Sequence, residues 1–182
     1  MFVVALINAC GGSLYKVKPV IRAPIADGAV GAEGGGVRIR VVPLLADEES
    51  QELFESNLLL AGLLPVRVEI ENINGVGIRA DYRKARFRLR DGDGREWKWL
   101  SAKQAVARIL KANGVYLYNP SARKKFEEDF KAHALNFEPE FVAGERRQGF
   151  VFFQTPKKEA VSHPRGLILT FELYRTLELK LN

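Results

Sequence analysis

The sequence predicts a mainly β fold (α+β), an antiparallel β-sandwich of six or seven strands with about three inserted helices. Short stretches alternate apolar and polar residues, which is typical of strands with one buried face. Helical patterns interrupt these stretches without the regular alternation of a parallel sheet. The 182 residues are 47% hydrophobic and 27% charged, the balance of an ordinary globular chain.

The first half of the domain is predicted as strand, helix and strand. Residues 37–41 alternate apolar residues with arginines, which indicates a half-buried strand. Residues 47–61 are predicted as a helix, because Asp47 suits an N-cap and Gly62 a C-cap. Pro65 then restarts the chain as a second alternating strand.

A hairpin is predicted next. Residues 84–90 alternate cations with apolar residues, and Asp91 to Gly94 form an Asp-Gly turn before a returning arm that holds Trp97 and Trp99. The two aspartates of the turn do not predict a calcium site, because an EF-hand loop needs about twelve residues between helices. We therefore predict no metal site.

Two further helices follow the hairpin. Ser101 and Gln104 form a capping box that opens one helix. Asn119 as N-cap and Pro120 at the first helical position open another, which is expected to run to about Ala134.

The last third of the chain returns to strands. Residues 149–153 are a short apolar run, and residues 167–173 and 177–181 alternate around a turn, which predicts a closing hairpin. With one cysteine in the chain, an internal disulfide and a cysteine-based zinc site are excluded.

The only cysteine, Cys10, ends the stretch Leu6-Ile7-Asn8-Ala9-Cys10, which resembles the lipobox of bacterial lipoprotein precursors. We therefore expect residues 1–9 to be the remnant of a lipoprotein signal peptide. Residues 10–36 would be a lipidated cysteine with a flexible Gly-rich tether, and residues 37–182 a single β-sandwich domain. The alternative is a buried first strand in which Cys10 packs as a small apolar residue.

The lipobox predicts a protein of the cell envelope, anchored to the membrane by lipid on Cys10. The periplasmic face of the outer membrane is favoured for a Gram-negative host. Nine residues precede Cys10 and none is Lys or Arg, so a full signal peptide requires a start upstream of Met1.

A family resemblance rests on Leu64-Pro65-Val66-Arg67-Val68-Glu69-Ile70-Glu71-Asn72 and on Gly149 to Phe153. These stretches resemble the "LPV-x-V-x-I-x-N" and "G-x-V-F-F" strands of bacterial lipoproteins of unknown function with an immunoglobulin-like, telokin-like β-sandwich. The likeness extends over about residues 38–181. It implies an immunoglobulin-like fold and an envelope location, and it brings no catalytic residues.

No catalytic motif is present. The chain has two histidines, of which His133 lies on a helix that also carries Phe126 and Phe130, and His163 follows Ser162 before a proline. Neither pattern indicates a catalytic pair. The motifs of serine hydrolases, zinc proteases and nucleotide-binding loops are not found. We therefore predict a non-catalytic protein without a cofactor.

A basic strand is the most suggestive surface in the sequence. Alternate positions of a strand lie about 6.6 Å apart on one face, so its four cations would form a row of roughly 20 Å. With two tryptophans on the pairing strand, this row is a candidate surface for a polyanion or a protein partner. Its residues are Lys84, Arg86, Arg88, Arg90, Trp97 and Trp99. The alternatives are a solvated face balanced by cross-strand carboxylates, and tryptophans that belong to the core.

Three functions stay open, in descending order. The first is a membrane-tethered envelope lipoprotein with a structural or protein-interaction role, its partners being the membrane and another envelope protein. The second is a small-molecule, lipid or glycan binding module with a cleft between the sandwich and its helices. The third is a cytosolic nucleic-acid-binding protein that uses residues 84–90. The net charge of +6 suits it, but an exported chain disfavours nucleic acid.

Overall fold

The structure is a computed structural model that describes residues 15–19, 25, 28–75, 81–116, 119–138 and 140–182. This part of the chain contains eight strands and three α-helices. The strands are β1 (Val30–Gly34), β2 (Val37–Pro43), β3 (Leu63–Asn72), β4 (Arg86–Arg90), β5 (Glu96–Leu100), β6 (Arg146–Gln154), β7 (Ile168–Glu172) and β8 (Thr176–Lys180). The helices are α1 (Asp47–Phe54), α2 (Ala102–Ala112) and α3 (Pro120–His133), with a short 3-10 helix at Tyr82–Lys84.

All eight strands pair antiparallel in one curled sheet, in the order β1-β2-β3-β6-β5-β4-β7-β8. The two outermost strands, β1 and β8, approach each other. A Cβ placed on Gly34 of β1 would lie 2.9 Å from Cδ2 of Leu177 in β8. The sheet is therefore nearly closed into a barrel, whose interior at eight strands is filled by side chains. The predicted mainly antiparallel β fold with three helices is confirmed. The described residues form eight strands, where six or seven are predicted, and the two facing sheets of a sandwich are not confirmed.

The concave face of the sheet holds the first of two cores, the inner core. On β3, alternate residues from Leu64 to Ile70 point into it, as the period-2 pattern predicts. Its largest members on the other strands are Phe87, Leu89, Trp97, Phe153 and Phe171.

The second core, the outer core, lies between the convex face of the sheet and the three helices. Phe54 of α1, and Phe126 and Phe130 of α3, are completely buried there against β6. The ring centroids of Phe130 and Phe152 are 4.7 Å apart. Because residues 150–153 of β6 are covered on both faces, this part of the strand is a continuous apolar run rather than an alternating one.

The predicted starts of α2 and α3 are confirmed. The side chain of Ser101 accepts a hydrogen bond from the Gln104 N–H, and the Gln104 side chain accepts one from the Ser101 N–H, so the capping box is complete. Asn119 accepts hydrogen bonds from the first turn of α3, with Pro120 at its first position.

The first helix is shorter than predicted, since it ends at Phe54 rather than at Ala61. Its N-cap is Ala46, without a side-chain hydrogen bond, and Glu55 has a left-handed backbone with φ 47°. The buried Ser50 hydroxyl explains the early end. It accepts a hydrogen bond from the Leu58 N–H and donates one to the Ser56 carbonyl, so it ties the following turn to the helix.

Part of the segment predicted as a tether is folded. β1 pairs with β2 along its whole length, so the predicted domain boundary at residue 37 falls inside a hairpin. Tyr15 stacks on Phe126 with ring centroids 5.0 Å apart. The Lys18 N–H donates to the Leu53 carbonyl of α1, and the Lys18 carbonyl accepts from Nε2 of His133 at 2.6 Å.

Residues 1–9 and Cys10, which carry the signal-peptide and lipidation predictions, lie outside the described residues. Within the part of the chain that is described, no helix combines the length and the apolar character needed to cross a bilayer.

Candidate functional site

The structure places three of the four predicted cations on one strand. Arg86, Arg88 and Arg90 are exposed on the convex face of β4, whereas Lys84 lies in the preceding 3-10 helix. That helix is capped by Asp81, whose side chain accepts from the Arg83 N–H. The predicted row therefore contains three arginines, and Lys84 is not part of it.

Carboxylates lie beside these arginines. Arg86 is opposite Glu172 of β7, and the Arg88 Nε lies 3.4 Å from the Glu172 carboxylate. Arg90 is opposite Glu96 of β5. Exposed pairs of this kind contribute little to stability, but they mix both signs of charge on the surface. The arrangement favours the interpretation of a solvated sheet face.

The tryptophans do not lie with the arginines, because they point to the other face of the sheet. Trp97 is in the inner core, with 6% of its surface exposed, and its indole N–H donates to the Asp91 carboxylate at 3.1 Å. Trp99 is half-buried and packs edge-to-face on Phe87 at 5.5 Å. The tryptophans and the arginines therefore lie on opposite faces of the sheet.

Asp91 holds the hairpin turn together. Its carboxylate also accepts hydrogen bonds from the backbone N–H groups of Asp93 and Arg95, and from the Arg95 guanidinium at 3.0 Å. Burial alone would raise the pKa of this carboxyl, but the hydrogen bonds from Trp97 and Arg95 favour the charged form and lower the pKa below 3.8. The buried charge of Asp91 thus reinforces the Asp-Gly turn.

The histidines take structural or solvent-exposed positions. His133, the last residue of α3, is buried against Phe54, and its Nε2 is hydrogen-bonded to the Lys18 carbonyl. His163 lies on an exposed loop with Nδ1 3.3 Å from the Ser162 Oγ, and no carboxylate among the described residues orients its ring. The same residues contain no group of three or more His, Cys, Asp and Glu side chains that could hold a metal ion.

A concave site lies beside α3, and we call it the α3 cleft. It lies where β5 leaves β6, because pairing between these strands ends at Leu100 and Phe152 and the chain then enters α2. Beyond this point, at Phe150, the segment after α3 lies along the edge of β6 that β5 no longer pairs with. Ala134 forms a single parallel bridge with Phe150, and the Leu135 N–H donates to the Phe150 carbonyl at 2.9 Å.

The α3 cleft has a volume of about 740 Å³, within the range of roughly 300–1,000 Å³ typical of ligand sites. Its floor is apolar and draws on both cores. The main floor residues are Trp99, Leu135, Phe137, Phe150, Val151 and Phe152. Trp99, Leu135 and Phe137 are only half-buried, so the cleft presents apolar surface to solvent.

Charged residues form the rim of the cleft. Lys103 stands in the first turn of α2, while the α3 wall carries Lys124, Glu127, Glu128 and Lys131 at helical spacing. Glu127 is paired with Arg123 at 2.9 Å, and Glu128 lies 3.9 Å from Lys124. Within the described part of the chain, Lys103 and Lys131 have no carboxylate within 4.0 Å.

Gly149 permits this geometry. A Cβ on this residue would lie 2.5 Å from Cα and N of Leu135, and 2.7 Å from the carbonyl carbon of Ala134. The segment after α3 can therefore lie on the edge of β6 only because residue 149 has no side chain.

Sequence reasoning predicted a cleft between the sheet and the helices but named none of its residues. Two signals were available, namely the glycine at the start of the apolar run of β6 and the apolar Leu135 and Phe137 directly after α3. Trp99 is among the predicted surface residues, with a place in the core as the alternative, and the structure places it on the floor of the cleft.

Comparisons with protein-family models, with curated proteins and with solved structures found no match for this chain.

Proposed function

We propose that the protein is a binding module that holds an apolar ligand in the α3 cleft. The observation that carries this proposal is the cavity of about 740 Å³ whose floor is made of aromatic and aliphatic side chains. Polar groups are confined to its rim. This combination of an apolar floor with few polar groups is the usual form of a small-molecule site.

The energetics favour an apolar occupant. Trp99, Leu135 and Phe137 keep part of their surface in water although each has one side packed on the inner core. Covering such surface contributes about 25 cal/mol for each Å².

The direct test is a titration with N-phenyl-1-naphthylamine, a neutral apolar probe whose fluorescence rises in apolar surroundings. Trp99 lines the cleft and Trp97 lies in the adjacent core, so energy transfer from tryptophan to the bound probe reports on this location. We expect saturable binding with quenching of tryptophan emission.

Leu135→Glu places a charge on the floor of the cleft and is expected to abolish probe binding, because the charge would be desolvated by the ligand. Leu60→Glu is the matched control, since Leu60 is 66% exposed and does not line the cleft. Equal loss of binding in both variants, or no saturable binding to the wild type, would refute the proposal.

An envelope location is a second proposal, and it rests on the lipobox at Cys10. A tethered, non-catalytic lipoprotein of the immunoglobulin-like group would present the cleft to the envelope compartment and to another envelope protein. Metabolic labelling with a fatty-acid analogue, from the full upstream reading frame, tests this. Label and membrane association should both disappear in Cys10→Ala, and an unlabelled wild type would contradict the tether.

A further inference from the structure

We propose that the ligand of the α3 cleft is a single-chain anionic amphiphile, with its chain on the apolar floor and its head group held by Lys103 and Lys131. This inference rests on the proposed function, and it adds the chemical class of the ligand and the residues that select it.

The first argument is the distribution of charge at the mouth of the cleft. Lys103 extends from α2 and Lys131 from α3, so the two cations stand on different walls. Both are exposed, and within the described residues neither has a carboxylate partner. An anionic head group at the mouth would give both lysines a counter-ion, and hydrogen bonds to a charged acceptor are stronger than neutral ones.

The second argument is that the acidic residues of the rim are already engaged. Glu127 accepts a hydrogen bond from the Arg123 guanidinium at 2.9 Å. Glu128 is next to Lys124, which leaves the pair close to neutral. The rim therefore offers two cations and no free carboxylate to a ligand. The positive end of the α2 dipole, which lies at Lys103, adds to the same potential.

The third argument is the neighbourhood of Lys131. A polar groove of about 820 Å³ continues from the cleft, and Lys131 and Leu135 line both. The two arginines of the groove are occupied, because Arg146 pairs with Glu71 at 3.3 Å and Arg147 with Glu145 at 2.7 Å. Lys131 thus stands where the apolar floor gives way to a hydrated surface, which is where the head group of an amphiphile belongs.

The test is displacement of N-phenyl-1-naphthylamine by three ligands with the same twelve-carbon chain, the ionic ones below their critical micelle concentrations and the neutral one below its solubility limit. These are dodecanoate, dodecanol and dodecyltrimethylammonium. We expect dodecanoate to bind about fivefold more tightly than dodecanol, as two exposed charge contacts allow, and the ammonium compound to bind most weakly. The preference for dodecanoate should decrease as salt is added.

A double variant, Lys103→Gln with Lys131→Gln, should remove the preference for dodecanoate over dodecanol. The control is Lys111→Gln with Lys125→Gln. It replaces one lysine in each of the same two helices and lowers the net charge by the same amount, but neither lysine lines the cleft. It should keep the preference.

The outcomes separate the two proposals. Equal affinity for dodecanoate and dodecanol, tighter binding of the ammonium compound, or an equal effect of both double variants would overturn the inference and leave the apolar site intact. Failure of the probe and of all three ligands to bind would overturn the proposed function as well.

Discussion

The two cores of the molecule are closed in different ways. The inner core is enclosed by a single curled sheet, so every strand that contributes to it also helps to seal it. The outer core is sealed by three helices that lie on the sheet and connect to it by loops. The closure is incomplete where β5 turns into α2, and the α3 cleft lies at that point.

This difference shows where the fold can bind a ligand without breaking hydrogen bonds between strands. The cleft is lined by Val151 from the inner core and by Phe150 and Phe152 from the outer core. A ligand in the cleft would therefore contact β6 at its edge, beyond the point where pairing with β5 ends. A ligand there contacts both cores, while the hydrogen-bonded sheet stays unchanged.

The largest expected effects come from truncating two neighbouring residues of β6 that lie in different cores, which distinguishes the contribution of each core to stability and to binding. Phe152→Ala and Phe153→Ala should each lower the free energy of unfolding by about 3–5 kcal/mol, because both rings are completely buried. Only Phe152 lines the cleft, so only its variant should also weaken probe binding. Urea unfolding and the probe titration measure the two effects. Equal binding by both variants would show that the cleft does not depend on the outer core.

A smaller effect is expected at the hairpin that closes the inner core. Asp91→Asn keeps one acceptor oxygen but removes the acceptor for the Trp97 indole and the Arg95 guanidinium, at a cost of about 3 kcal/mol. Probe affinity should not change, because Asp91 does not line the cleft.

The pH dependence of Asp91 follows from its lowered pKa. A carboxyl whose pKa is lower in the folded state stabilises the protein at pH values above its unfolded pKa, and this contribution is lost as the pH falls through the folded pKa. The loss should therefore begin near pH 4 and continue below it. Asp91→Asn should show a flatter stability curve in this window, and an identical curve would contradict the assignment.

Gly149→Ala should have the next effect, about 2 kcal/mol, because its Cβ would collide with the backbone of the segment after α3 rather than with a movable side chain. We expect it to displace that segment and so alter the cleft as well as the stability. Gly31→Ala is a suitable control, since a Cβ there would make only ordinary contacts at 3.5 Å or more. Unfolding titrations compare the two variants.

The smallest effect is expected on the convex face of β4, which belongs to neither core. Arg88→Gln should change the unfolding free energy by about 0.5 kcal/mol or less, because its pair with Glu172 is exposed and lies at 3.4 Å. Probe binding should stay the same. A reduced affinity for single-stranded nucleic acid with a steep salt dependence would instead revive the third hypothesis from the sequence.

Local signals in the sequence predicted local structure well. The capping box at Ser101, the Asn119-Pro120 start and the Asp-Gly turn are interactions among residues four or fewer apart, and the structure contains each of them. The helix after Asp47 was predicted too long because its end depends on a buried side chain, Ser50, that folds back on a later turn.

The order of the strands in the sheet could not be predicted from these local signals. β6 is inserted between β3 and β5, and β4 pairs with β7, so neighbours in the sheet are distant in the sequence. Alternation predicted that Trp97 and Trp99 share a face but not which face. The apolar run from Phe150 to Phe153 predicted a strand, but it could not show that pairing with β5 ends at Phe152.

The contact of residues 15–19 with α1 and α3 has a mechanical consequence. Lys18 is hydrogen-bonded to Leu53 on one side and to His133 on the other, and Tyr15 stacks on Phe126. Tension applied to the chain at residue 15 would reach these helices before it reached any of the described strands. Because α3 forms one wall of the α3 cleft, tension at this point would act on the cleft.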